Sequence, residues 1–229
     1  MSEQDRIQAR YRERDGSAQL SGFWTLANPV VLHLAQERER AVLAALARHG
    51  VNLAAARLLD VGCGAGAEFA NYLRWGLPLS GLFGVDLTLP RLQAAQRAVG
   101  PRVAQASGAA LPFAGGSFDV VAQNVVFSSI ISSPMRQQVA QEMLRVLRPG
   151  GCLLWYDAAC TRGSDPHFRN VPLDELQTLF PDLPFTMQKL TTDLGLLKRV
   201  HAAFGQRGLA LMDLTGLFKT HLLAVGKKT

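Results

Sequence analysis

One stretch of this 229-residue chain constrains the fold more than any other, Leu58 to Gly66 with the sequence LLDVGCGAG. Its apolar start predicts the end of a buried strand, and Gly62, Gly64 and Gly66 then fall within five positions. The residues Ala67 to Trp75 have helical character. Strand, glycine turn and helix in this order bring backbone N–H groups close to a nucleotide-like ligand. We expect a side chain at Gly62 or Gly64 to fill space that such a ligand needs.

Taken alone, the glycine turn leaves two interpretations open. The spacing matches G-x-G-x-G, and with Ala67 it also matches the looser dinucleotide fingerprint G-x-G-x-x-A. A tight turn that binds no ligand has the same glycines. The rest of the chain has to decide between them.

Alternating strand and helix patterns follow from residue 56 onward and predict a parallel sheet with helices on both faces. The later strands are predicted to end at Asp86, near residue 106, at Asn124 and at Asp157. Ligands of such sheets bind at the carboxyl ends of the strands. Asp60, Asp86, Ser107 and Asn124 all lie at or just past predicted strand ends, so the ligand site is expected there.

The regions before and after this core have different patterns. Residues 1–16 alternate arginine with acidic residues and predict an exposed helix, and a second helix is predicted from about Val31 to His49. Residues 194–216 look helical between two predicted strands, 185–192 and 218–228. We therefore expect one domain in three parts, which are an N-terminal helical cap (1–50), a cofactor-binding core (51–157) and an acceptor-side region with the final hairpin (158–229).

Composition restricts the class of protein. With 48% hydrophobic and 18% charged residues, the chain is expected to be globular. The three cysteines have no metal-ligand spacing, and the sequence shows no apolar run of membrane-spanning length and no signal-peptide core. These features predict a soluble, cytoplasmic protein. The net charge of +6 is concentrated in residues 187–229, which hold seven basic and two acidic residues. This basic end indicates either an acidic substrate or a solvated surface.

Four motifs carry a resemblance to a known family. They are LLDVGCGAG, then GVD at 84–86, then ALPFAGGSFDVV at 110–121, then RVLRPGG at 145–151. In this order and spacing the chain resembles a class I S-adenosylmethionine-dependent methyltransferase, and it is most similar to the UbiE-like or type 11 group. The resemblance covers roughly residues 56–157 and says little about the substrate. It implies a Rossmann-like, mostly parallel seven-stranded sheet with an antiparallel last strand, and S-adenosylmethionine as cofactor.

The resemblance also implies roles for individual residues. The turn from Asp60 to Gly66 would hold the methionine end of the cofactor, and Asp86 would bind the ribose hydroxyls. That role also follows from its place 20 positions after Gly66, although an Asp here can instead cap the next helix. The full set of expected cofactor-binding residues is Asp60, Gly62, Cys63, Gly64, Gly66, Asp86, Leu87, Ser107, Gly108, Ala109, Asn124 and Val125. Ser107 stands where the family often has an Asp for the adenine amino group, so adenine recognition lacks charge assistance here.

Methyl transfer from a sulfonium demands mainly alignment and exclusion of water. An oxygen acceptor usually also needs a base or a metal, and the sequence shows no metal cluster. His167 and His201 are the candidate bases, with packing or surface roles as the alternative. Tyr11 and Arg14 would close over the cofactor if the N-terminal helix acts as a lid.

Several functions stay open at this point. The favoured one is methylation of a small molecule or of a glycan or lipid intermediate. Base methylation of nucleic acid is disfavoured, because residues 124–127 read NVVF where such enzymes carry (Asp/Asn)-Pro-Pro-(Tyr/Phe). RNA or protein methylation through the basic C-terminal third, an NAD-dependent oxidoreductase and a non-catalytic cofactor-binding protein are the alternatives.

Overall fold

The computed structural model of the chain describes residues 2–16, 24–99, 102–161 and 165–229. Seven strands form its sheet: β1 (Leu58–Val61), β2 (Leu82–Asp86), β3 (Val103–Gln105), β4 (Phe118–Asn124), β5 (Leu147–Ala158), β6 (Phe185–Thr192) and β7 (Lys219–Lys227). The α-helices are α1 (Glu3–Asp15), α2 (Pro29–Arg48), α3 (Ala67–Arg74), α4 (Leu89–Val99), α5 (Ser133–Val146), α6 (Leu173–Leu179) and α7 (Leu194–Thr215).

The sheet has the strand order β3-β2-β1-β4-β5-β7-β6. Strands β1 to β5 pair in parallel, and β7 runs antiparallel to both β5 and β6. This confirms the doubly wound, seven-stranded Rossmann-like sheet predicted from the sequence, including its antiparallel last strand. The order reverses at β1, between β2 and β4, and ligands of open α/β sheets bind beside such a point.

Side chains that alternate along each strand build two cores. On β1, Leu59 and Val61 face the core that also contains α5, α6 and Ile7 of α1. Leu58 faces the second core, with residues of α2, α3 and α4. Helices therefore cover both faces of the sheet, which fixes its strands and leaves their carboxyl ends as the open edge.

Several helix starts follow from local sequence. The side chain of Asn28 accepts a hydrogen bond from Val30 N at 3.0 Å, and Pro29 takes the first helical position of α2. Asp193 caps α7 by accepting from Leu196 N at 2.9 Å. Within α7 the chain breaks from helical geometry at Gly205, with φ 59° and ψ −148°. A conformation of this kind is essentially restricted to glycine.

The strand bounds match the predicted ones closely, with one clear exception. Strand β6 has the predicted limits. The sequence pattern of a helix ended by Pro149-Gly150-Gly151, with a strand from Cys152, predicts a later start for β5 than the structure shows, because β5 begins at Leu147 and contains the proline and glycines. The pairing of β4 with β5 shifts register between Phe118 and Val120. The proline and glycines of β5 are thus accommodated at an irregularity in the strand pairing.

Candidate functional site

The glycine turn after β1 is anchored to β2 through its backbone. The N–H groups of Gly62 and Cys63 both donate to the carbonyl oxygen of Val85, at 2.8 and 2.9 Å. Gly62 has φ +74°, and a Cβ built there would lie 2.5 Å from Cγ2 of Val126. Glycine is therefore needed at this position for the left-handed backbone and for close approach to the loop after β4. The sequence predicted that a side chain here would intrude on ligand space, whereas the nearest obstacle is the protein itself.

Asp86 ends β2 beside the turn and holds two backbone groups. Its Oδ2 accepts from Gly64 N at 3.0 Å, and its Oδ1 accepts from Thr88 N at 2.8 Å. The carboxylate stays partly exposed and lines the pocket described below. Because an ionised carboxylate offers about four acceptor positions, capping the backbone leaves capacity for a ligand. The two roles considered for Asp86 are thus compatible.

A pocket of about 600 Å³, including the part open to solvent, lies at the carboxyl ends of β1, β2 and β4. Six of the twelve residues predicted to bind cofactor line it, and they are Gly62, Asp86, Leu87, Gly108, Asn124 and Val125. Apolar side chains form much of the remaining wall: Val61, Val85, Val126, Ile130, Met135 and Val139. A polar rim and an apolar wall suit a ligand that has a flat hydrophobic part and a polar part.

The other six predicted residues are not part of this lining. Gly64 orients Asp86, and Cys63 is buried against β2 with its thiol pKa raised by burial. Gly66, with φ +80°, begins α3. Ser107 Oγ accepts from Ala109 N at 3.2 Å and from Gln4 Nε2 at 3.1 Å.

Asp60 lies on the opposite face of β1 from the pocket wall, because strand side chains alternate and Val61 faces the pocket. It is only 2% exposed. Burial raises the pKa of its carboxyl well above the usual value, and the negative charges of Glu68 and Asp86 act in the same direction. The guanidinium of Arg38 opposes this shift and is itself 2.5 Å from Glu68.

The loop after β4 has a backbone feature that the sequence did not signal. Val125 has φ +56°, which is unfavourable for a β-branched residue. Hydrogen bonds fix this conformation, because Val125 N donates to the carbonyl of Tyr156 at 2.8 Å and Val126 N donates to Oε1 of the buried Gln123 at 2.9 Å. The constrained turn places residues 124–126 along the pocket.

A buried carboxylate fixes the next turn. Asp157 Oδ2 accepts from the N–H groups of Phe127 and Ser128, at 2.9 and 3.3 Å, and Oδ1 accepts from Ala158 N. Burial raises the pKa of Asp157 to about 6, although these hydrogen bonds act in the opposite direction. One titratable group therefore joins the loop after β4 to the end of β5.

Helix α1 closes one side of the pocket. Ile7 and Tyr11 line it, and Tyr11 Oη lies 3.0 Å from Ser129 Oγ. Gln8 Nε2 donates to the carbonyl oxygen of Leu87 at 3.1 Å. The sequence suggested Tyr11 as a lid residue, but Ile7 and Gln8 lie in a charged segment whose pattern did not single them out.

Both ends of α1 are attached to the core by charged groups. Glu3 accepts from Ile131 N at 2.6 Å, and its pKa is lowered to about 2, chiefly by its hydrogen bond with Arg6. At the other end Asp15 pairs with Arg91 at 2.8 Å. The Arg91 guanidinium also lies 4.3 Å from the centre of the Tyr11 ring. Arg14, the other proposed lid residue, lies 6.0 Å from that ring and is not part of the pocket wall.

The two candidate bases lie outside the pocket wall. His167 Nδ1 is 3.3 Å from Nη1 of Arg6, on the outer side of the α1 contact. His201 lies in α7, before the break at Gly205. Another histidine that the sequence did not single out is His221, which stacks on Tyr156 at 5.2 Å and whose pKa burial lowers to about 4.

In the part of the chain that the structure describes, no three His, Cys, Asp or Glu residues converge as a metal site would require. Over the same residues, no helix combines the length and the apolar character needed to span a bilayer.

Comparisons with known proteins agree with this geometry. Residues 59–155 match the family model described as a methyltransferase domain. An uncharacterized methyltransferase of Mycobacterium sp. (strain KMS) is 40% identical over 94 residues, which are 41% of this chain and 35% of that protein. The chain thus covers only about a third of that relative's length. The matches confirm the resemblance to class I methyltransferases predicted from the sequence.

Solved structures share the fold over more of the chain. A putative sarcosine dimethylglycine methyltransferase from Galdieria sulphuraria aligns with a TM-score of 0.64 at 18% identity, covering 88% of this chain and 90% of that one. Phosphoethanolamine N-methyltransferase 2 of Haemonchus contortus, in complex with S-adenosyl-L-methionine, aligns with a TM-score of 0.59 at 20% identity, covering 82% of this chain and 52% of that one. At these identities the likeness establishes the fold alone.

Proposed function

We propose that this chain, whose core is a class I methyltransferase domain, transfers a methyl group from S-adenosylmethionine to a small molecule or to a glycan or lipid intermediate. The observation that carries the proposal is the pocket at the carboxyl ends of β1, β2 and β4. There Asp86 and the glycine turn meet the loop after β4, beneath α1. This is the switch point of the sheet, where the fold class binds its ligands.

The residues present suit the adenosine part of the cofactor. The partly exposed Asp86 carboxylate can accept from both ribose hydroxyls, and Leu87 with Val139 offers an apolar wall for the adenine. Thr88 supplies a further indication. Its Oγ1 is buried, has no hydrogen-bond partner among the described residues, and belongs to a residue that lines the pocket. A buried hydroxyl of this kind requires an explanation, and a ligand polar group provides one.

When bound, the cofactor supplies a methyl group activated by the sulfonium. The protein's contribution under this proposal is to bind, orient and exclude water. The glycine turn and Asn124–Val125 border the space for the methionine end, while Ile7 and Tyr11 shield it from solvent. Asp60, Cys63, Gly64, Gly66, Ser107, Gly108 and Ala109 complete the proposed cofactor-binding set.

A base is needed only if the acceptor atom must lose a proton. His167 and His201 stay the proposed candidates, and replacing the base by Ala should lower kcat by about 100-fold and remove the acidic limb of the pH–rate profile. A histidine that only packs would change KM or stability and leave that limb in place.

Calorimetry with S-adenosylhomocysteine and NAD tests the proposed function directly. We expect saturable binding of S-adenosylhomocysteine and none of NAD. Binding of NAD alone would overturn the proposal in favour of the oxidoreductase. Cofactor binding without methyl transfer to any component of a metabolite extract would favour the non-catalytic alternative.

An RNA acceptor remains the alternative that the basic C-terminal third suggests. Binding through that surface would weaken steeply as salt is raised, because counterions are released from the nucleic acid. A gel-shift series over salt concentration distinguishes this case from a small-molecule acceptor. The cytoplasmic location predicted from the sequence likewise stays a proposal.

A further inference from the structure

Helix α7 and the turn after it expose large apolar side chains on the acceptor side of the molecule. We define the α7 outer surface as Phe204, Arg207, Leu211, Leu214, Leu217 and Phe218. The exposed fractions of its apolar members are 71% for Phe204, 62% for Leu211, 84% for Leu214, 57% for Leu217 and 54% for Phe218. Single exposed apolar residues are ordinary, but a cluster of this size marks a surface that meets another phase or molecule.

The cluster follows from the pattern of the helix beyond the break at Gly205. Arg207, Leu211 and Leu214 are spaced by four and three residues, so they share one face. Leu209 is fully buried and holds the other face against Leu197 and the start of α2. The helix therefore has an apolar inner face and also carries exposed leucines on its outer face, next to Arg207. A water-facing helix would place polar residues there.

The turn that follows extends the same surface. Phe218 has φ +59°, a left-handed backbone conformation that disfavours a bulky aromatic residue. Gly216 is also left-handed, with φ +62°. The chain thus adopts an unfavourable backbone at a residue whose ring is more than half exposed, which points to a role for the exposed ring itself.

Charge on this surface has one sign. Residues 194–218 contain a single acidic residue, Asp213, and it is directed to Lys219 and His33 at 3.4 and 3.2 Å. Arg199 and Arg207 are exposed and have no ion pair among the described residues. Arg199 also lines a cleft of about 630 Å³, including its solvent-open part, together with Phe218. A cationic rim around protruding apolar groups is complementary to an anionic lipid surface.

We propose that the α7 outer surface docks the protein on an anionic phospholipid bilayer, lying in the headgroup region without crossing the membrane. The very high exposure of Leu214 and Phe204 means that these side chains protrude, which suits insertion between lipids. The cationic rim favours an anionic lipid surface over a second copy of the chain, whose matching surface would carry the same positive charge. The inference is independent of the proposed reaction, since it makes no use of the cofactor pocket.

Co-sedimentation of the full chain with vesicles tests the proposal. We expect binding to phosphatidylcholine vesicles that contain phosphatidylglycerol to be at least about tenfold stronger than to phosphatidylcholine alone, and to weaken with salt. L211S/L214S should reduce binding to the anionic vesicles at least about tenfold, since two apolar anchors are lost. R199Q/R207Q should remove most of the preference for anionic lipid.

A matched pair of exposed leucines provides the control. Leu79 and Leu173 are 49% and 44% exposed and lie outside the α7 outer surface, so L79S/L173S should bind vesicles like the unmodified chain. Thermal unfolding of each variant checks that it is folded. No binding to anionic vesicles, or an equal loss in L79S/L173S, would overturn the proposal.

Self-association of the chain through this surface is distinguished in the same experiments. A dimer in light scattering that L211S/L214S converts to monomer, together with absence of vesicle binding, would assign the surface to self-association and overturn the proposal.

Discussion

We call residues 58–157 the cofactor side and residues 158–229 the acceptor side, after the roles proposed for them, and the two regions differ in how they are built. On the cofactor side, backbone groups make most of the geometry: the turn N–H groups bond to Val85, and Gly64 and Thr88 bond to Asp86. On the acceptor side the chain forms a hairpin and a helix, and exposed side chains of that helix make its outer surface. A site shaped by backbone groups requires particular residue types, such as glycine, at fixed spacing. A surface formed by exposed side chains has no such requirement.

The family match divides the chain near the same place. The methyltransferase domain family covers residues 59–155 and stops shortly before β5 ends at Ala158. The fold continues through β6, α7 and β7, and structures of the same architecture align over it. The family match therefore contains the glycine turn, Asp86 and the loop after β4, whereas the region after β5 shares only the fold with the solved structures.

The largest effect is expected from replacing Asp86, the residue on which the proposed cofactor site depends most. D86A should weaken S-adenosylhomocysteine binding at least about 100-fold, because a charged acceptor of two hydrogen bonds is lost. Calorimetry measures the dissociation constant, and thermal unfolding checks that the variant folds. D174A, an exposed Asp on α6, is the control and should bind normally. Unchanged affinity in D86A would remove Asp86 from the site.

The next largest effect is expected from helix α1, the proposed lid. It tests whether the N-terminal cap takes part in cofactor binding. I7A/Y11A removes two side chains that line the pocket and should weaken S-adenosylhomocysteine binding about tenfold. R12A, on the exposed side of α1, should leave the affinity unchanged. Equal affinity in all three proteins would mean that α1 only covers the sheet and takes no part in binding.

A smaller effect is expected from replacing Thr88, which should change protein stability and ligand affinity in opposite directions. T88V replaces a buried hydroxyl that has no partner in the described residues by a methyl group of similar size. The ligand-free protein should become slightly more stable, by about 1 kcal/mol, while S-adenosylhomocysteine binds about three- to tenfold more weakly. Denaturant titration and calorimetry measure the two quantities. Loss of stability with unchanged affinity would contradict a role for this hydroxyl in the pocket.

The smallest effect concerns Asp157, at the boundary between the two regions. Its pKa of about 6 lies above the ordinary value of 3.8, so the folded state binds more protons than the unfolded state between these values. Stability from this group is therefore present at low pH and is lost as pH rises through about 6. Relative to D157N, the protein should gain about 1–2 kcal/mol of unfolding free energy between pH 8 and pH 5. A difference that does not vary with pH would contradict this.

The sequence predicted the architecture and the position of the pocket because both depend on recurring local rules. Strand–turn–helix units, the glycines and the acidic end of β2 are visible in a single chain. Three features were not visible. Val125 adopts a left-handed backbone conformation, which a β-branched residue in the sequence does not predict. Ile7 and Gln8 reach the pocket only through tertiary contact. The charge of Arg38 in α2 acts on the buried Asp60 of β1 only once the helix packs on the sheet. These depend on packing, which local pattern does not encode.

A crystal structure with S-adenosylhomocysteine tests the central claim most directly. The account predicts the ribose hydroxyls within about 3 Å of the Asp86 carboxylate oxygens, the hydrogen-bond range for such groups, with the adenine against Leu87 and the sulfur facing the turn at Val125. A ribose bound elsewhere, or a glycine turn that faces bulk solvent in the complex, would contradict it.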